Sequence, residues 1–146
     1  MNARPLARWV ELVSSAFAAL GLFLPLAFQS PFFAAYRGAL AEWAYAAPFV
    51  PAADGELLHL MLGILGGSIA GKWIVHAMIA RGPLAEGKAW ARRLTLAGLP
   101  VWFAIDSGYG LAHRGLFNVA MVNVPAILVT LPPWLVLAAQ RHRERD

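Results

Sequence analysis

Apolar residues in this chain neither alternate with polar ones nor form a narrow stripe; they run on. Four stretches, at about residues 9–28, 57–80, 90–112 and 116–139, each reach the roughly 20 residues that carry a helix across about 30 Å of hydrocarbon. Inside lipid the backbone polar groups of such a stretch must be satisfied within it, which selects helix. The pattern therefore predicts an all-α, polytopic membrane protein, with four transmembrane helices forming one bundle and one domain over residues 1–146. Arg4 and Arg8 precede the first run as they would precede a secretory signal core. That run is longer than the roughly 7–15 residues of such a core and contains Glu11, so it reads as a retained helix.

Between the first two runs the pattern changes. Phe33, Tyr36, Leu40 and Trp43 recur at helical spacing with Arg37 and Glu42 placed elsewhere, which predicts a short interfacial helix in the first outer loop, capping the bundle. Residues 52–56 read as the turn into the second span.

Small residues set the expected packing. Gly63, Gly67 and Gly71 recur every fourth residue, and Ala104, Gly108 and Ala112 do the same in the third run. Stripes of this kind let helix backbones approach closely, so the second and third spans are expected to pack through them. Proline marks the bends. Pro25, Pro100, Pro125, Pro132 and Pro133 each remove a helical hydrogen bond and leave the carbonyl four residues earlier in need of another partner.

Polar residues inside the runs are the candidate chemistry. Asp106 lies on the order of 10 Å below the outer end of its helix, where an unpartnered carboxylate costs about 2.5–3.5 kcal/mol. It is expected to point inwards, into an outer polar site with Asn118, Asn123, His59 and His113. Towards the other end, Glu11, Lys72 and His76 form a candidate inner polar group in which Glu11 is the expected partner of Lys72.

Charge changes the picture by orienting it. Of the twelve lysines and arginines, nine precede the first run, flank the loop between the second and third, or follow the fourth; Arg37 and Arg114 alone lie in the other loops, and Lys72 is in a span. An excess of cations marks cytoplasmic segments, so the expected location is the inner membrane, multi-pass, with both termini and the 81–93 region inside. Dispersal of the cations over three segments speaks against nucleic acid as a partner. The expected partners are the lipid bilayer and a second copy or another membrane protein.

Composition narrows the chemistry. With 60% hydrophobic and 14% charged residues there is too little polar surface for a water-soluble globule. The absence of cysteine removes disulfides and thiolate ligands. Gly66, Gly71 and Lys72 imitate part of a phosphate-binding loop, but Trp73 stands where a hydroxyl residue is needed and no strand precedes them. No catalytic group or metal site is predicted, and no cofactor. The role expected is an assembly or partner-binding subunit; the alternatives are a small transporter or channel working at Asp106, and a haem-binding subunit using His59 and His113 as axial ligands.

Overall fold

The computed structural model describes residues 4–143, with side chains at all of these except 52, 53 and 140–143. Arg141, Arg143 and Arg145, the cations that follow the fourth run, therefore lie outside the side chains described. The elements are helical throughout: α1 (Arg4–Ala27), a 3-10 turn (Pro31–Phe33), α2 (Ala34–Tyr45), α3 (Ala52–Ile79), a π turn (Ala80–Leu84), α4 (Ala89–Ala112), α5 (Leu116–Asn118), a second π turn (Val119–Asn123) and α6 (Val124–Arg143).

Among the described residues, three segments are long and apolar enough to cross a membrane: Arg4–Ala27, Asp54–Leu84 and Leu116–Ala139. The helix α4 forms where the third run predicts it, yet it is not among the three. Arg92 and Arg93 in its first turns, Asp106 and the glycines near its end dilute its apolar character. Residues 52–56, expected as a turn, are instead the first turn of α3, with Asp54 placed where a helix N-terminus favours a carboxylate.

The dominant packing is α1 against α3, not α3 against α4. Buried positions of α1 recur at three and four residues, Ala7, Val10, Ser14, Ala18, Gly21 and Leu24, which is one face of a helix. Of these, Gly21 and Leu24 meet Leu62, Gly66 and Ala70 of α3. At the crossing of the two helices, a Cβ built on Gly21 would come within 2.7 Å of the backbone nitrogen of Ala70 and the carbonyl oxygen of Gly66. A Cβ on Gly66 would strike the Gly21 carbonyl. That carbonyl is the one Pro25 leaves without its helical donor, so the bare Gly66 lets a second backbone cover an acceptor that lipid could not satisfy.

The expected close-packing stripe is thus displaced by one residue. Gly63, Gly67 and Gly71 are exposed, and nothing lies within 4 Å of a Cβ at any of them. Ala104, Gly108 and Ala112 are exposed too. Both small stripes lie on the outside of the chain because α3 turns its Gly66 side to α1, while α4 packs against α6 and the π turn before it.

Two apolar clusters hold the ends. At the end bearing the chain termini, Ala7, Val10, Ala80, Leu84, Ala91, Leu96 and Leu137 pack together. At the opposite end Leu24, Phe28 and Leu62 receive Phe33 from the 3-10 turn and Tyr36 and Leu40 from α2, which therefore sits over the bundle. Arg37 locks this arrangement by donating to the carbonyls of Phe28 and, at 2.7 Å, Ser30, where α1 has run out of donors of its own.

Candidate functional site

At the α2 end, Asp106 is joined to the chain that follows it. Asn118 Nδ2 donates to Asp106 Oδ2 at 3.2 Å, and the Tyr36 hydroxyl donates to Asn118 Oδ1 at 3.0 Å. The three residues come from α4, α5 and α2, so one hydrogen-bonded chain ties the cap to the bundle. Tyr36 is held by ring contacts with Phe28 and Phe117. Burial, and secondly the charge of Asp106, push its phenol above the usual tyrosine value.

The other members of the expected outer site do not join them. Asn123 is fully buried one turn further in, where its Nδ2 donates to Ser107 Oγ at 2.9 Å and its Oδ1 has no partner. His113 is exposed, stacked on Tyr109 at 4.1 Å with Nδ1 3.0 Å from the Tyr109 carbonyl, and His59 is exposed on α3. Tyr36 is the participant that spacing alone did not single out; its place on the apolar stripe of α2 gave it a packing role and concealed the hydroxyl.

At the opposite end the expected Glu11–Lys72 pair is replaced. Glu11 lies 4.0 Å from Arg81, beyond the end of α3, in a basic cleft of about 390 Å³ shared with Arg4 and Arg8. Arg81 is largely exposed, so the ion pair is weak. Depth alone suggested Lys72, but the π turn returns Arg81 to the side of α1 that carries Glu11.

Lys72 faces a different compartment. Its ammonium lies over two indoles, 5.1 Å from the ring centre of Trp73 and 5.5 Å from that of Trp102. These groups and His76 line a cavity of about 40 Å³ with Ser14, Thr95 and Thr130. Gly98 adjoins the His76 ring, whose Cε1 would be in ordinary contact, at 3.7 Å, with a Cβ there. Phe17 stacks on Trp73 at 4.8 Å and fixes one wall. Among the described residues no cluster of three or more histidines and carboxylates is placed to hold a metal ion.

No family model, curated protein or solved structure matches this chain. Its function has to be argued from the two polar sites and from the faces that the bundle leaves uncovered.

Proposed function

We propose that the protein is a four-span inner-membrane subunit whose task is assembly, offering the Gly63, Gly67, Gly71 face of α3 to a helix of a second copy or of another membrane protein. The observation that carries this reading is a glycine stripe with none of the described residues opposite it. Only 11% of the apolar window of α3 is buried, against 28% and 22% in the other two apolar segments, so its covered side is spent on α1 and a broad face stays free. Bare backbone gains little from lipid chains but allows close van der Waals approach by another helix.

The hydrogen bonds made by Asp106 support a structural role for that carboxylate in preference to a transport pathway. In the proposed arrangement α4 completes the four spans, with its carboxylate facing Asn118. The helix α2 lies at the outer interface, a placement supported by the exposed Phe32, Trp43 and Phe49 around it. Both termini and the 81–93 region face the cytoplasm, on the distribution of cations. An active periplasmic reporter fused after Asp146 would refute that orientation.

A photo-crosslinking amino acid placed at Ile64, beside the stripe, tests the assembly role in native membranes. We expect an adduct of one discrete mass from Ile64 and none from Leu128, an equally exposed apolar position on α6. Twice the chain mass identifies a second copy and any other mass a different subunit. Lipid adducts alone from both positions would refute the proposal.

A further inference from the structure

A lysine among apolar helices needs an anion or water beside its ammonium. The carboxylate expected beside it, Glu11, lies instead 4.0 Å from Arg81. Contact with Trp73 and Trp102 offsets part of the desolvation of Lys72 but leaves its three N–H donors without a strong acceptor. Ser14 lines the same cavity. It is completely buried, and its hydroxyl has no hydrogen-bond partner. The other hydroxyls are occupied: Thr95 donates to the Ala91 carbonyl at 3.0 Å and Thr130 to that of Ala126 at 2.8 Å. The cavity therefore presents a charged donor, with the Ser14 hydroxyl beside it free to donate, and its lining residues include no carboxylate to balance that charge.

Size and position restrict what can enter. A space of about 40 Å³ exceeds the roughly 10–15 Å³ that one water needs, and suits a carboxylate or a pair of phosphate oxygens but no bulkier group. Lys72 is itself exposed, so the rest of a ligand can remain outside along the aromatic wall. Val10 and Thr95 of the lining lie within two residues of Arg8 and Arg93, which places the cavity just inside the cationic end of the bundle.

We propose that this cleft binds the oxyanion head of a lipid-phase amphiphile, a fatty-acid carboxylate or an anionic phospholipid phosphodiester, with Lys72 as counter-ion and Ser14 as hydrogen-bond donor. The hydrocarbon tail stays outside against the indoles. This binding does not depend on the partner face of α3, which is made by other residues.

The test uses the full chain in phosphatidylcholine nanodiscs doped with dibrominated stearate, or with phosphatidylglycerol or phosphatidylcholine carrying dibrominated tails, and follows tryptophan emission. Bromine quenches on contact, and Trp73 and Trp102 lie at the cleft. We expect saturable quenching by an anionic probe beyond that given by brominated phosphatidylcholine. Stearate alone identifies a carboxylate ligand, phosphatidylglycerol alone a phosphodiester, and both together a site that reads only the oxyanion. Lys72→Gln should weaken the half-saturation about tenfold, as loss of a charge-assisted hydrogen bond does. Ser14→Ala should weaken it less, Lys72→Arg should retain it, and Arg81→Gln in the separate basic cleft should leave it unchanged. Absence of saturable quenching by either anion overturns the proposal. So does wild-type quenching in both Lys72→Gln and Ser14→Ala. Should Lys72→Gln fail to fold, wild-type quenching in Ser14→Ala alone overturns the proposal.

Discussion

The indole N–H of Trp134 donates to the carbonyl of Leu96 at 2.9 Å. That acceptor is the one Pro100 deprives of its helical donor. The same relationship recurs where Trp9 Nε1 approaches the Val129 carbonyl, left free by Pro133, at 3.4 Å. Prolines in α4 and α6 thus create acceptors, and tryptophans from neighbouring helices satisfy them, so each bend also becomes an interhelical tie.

Trp134→Phe retains an aromatic ring and removes the donor. It should lower stability by about 1 kcal/mol, the usual net value of one hydrogen bond. In a Pro100→Ala background residue 100 regains its N–H and can serve the Leu96 carbonyl itself, so the same substitution should cost little. Unfolding in a double-mutant cycle measures the difference. An equal cost in both backgrounds would show that the tie contributes through packing alone.

The hydrogen-bonded chain Tyr36–Asn118–Asp106 responds to pH. Tyr36 holds its proton more tightly in the folded protein than at the ordinary value of 10.0, because of burial first and the Asp106 charge second. Its contribution to stability is therefore complete below pH 10.0 and is lost as the pH rises through the shifted value. Phenolate absorbance of the wild type, less that of Tyr36→Phe, isolates this group. Asp106→Asn should bring the ionisation part of the way back and leave the fold intact, since an amide oxygen still accepts from Asn118. An unmoved Tyr36 titration in Asp106→Asn, or loss of folded protein, would contradict the coupling.

The apolar runs made all the long helices legible, because membrane-length segments have one way to satisfy their backbone. The short helix between the first two runs was legible from Tyr36, Leu40 and Trp43 at helical spacing, with Phe33 in the turn before it. Register was not. Periodicity revealed Gly63, Gly67 and Gly71 but gave no means of knowing that Gly66 and Ala70, one position earlier, meet Gly21. The deciding feature is on the other helix, where Pro25 frees the Gly21 carbonyl and only a residue without a side chain can cover it. Glu11 was misassigned for a similar reason: depth along a straight helix does not anticipate a π turn that brings Arg81 back to α1. Asp106 was grouped with Asn118, Asn123, His59 and His113 as one site without a pairing; Asn118 is the residue that donates to it, Asn123 turns to Ser107, and Tyr36 reaches the chain from a separate element.

Gly66 and Gly67 are neighbours in sequence with opposite surroundings, and the contrast between them tests the assembly account most directly. The measurement is the native mass of each variant extracted from membranes in a mild detergent, read together with its thermal unfolding. A side chain at Gly66 collides with the backbone of α1, so Gly66→Leu should yield little folded protein. Gly67→Leu meets open space within the chain. The account predicts that it unfolds at the wild-type temperature yet runs at the mass of the separate chain, while the wild type runs as a complex. A Gly67→Leu protein that retains the native mass of the wild type would contradict it.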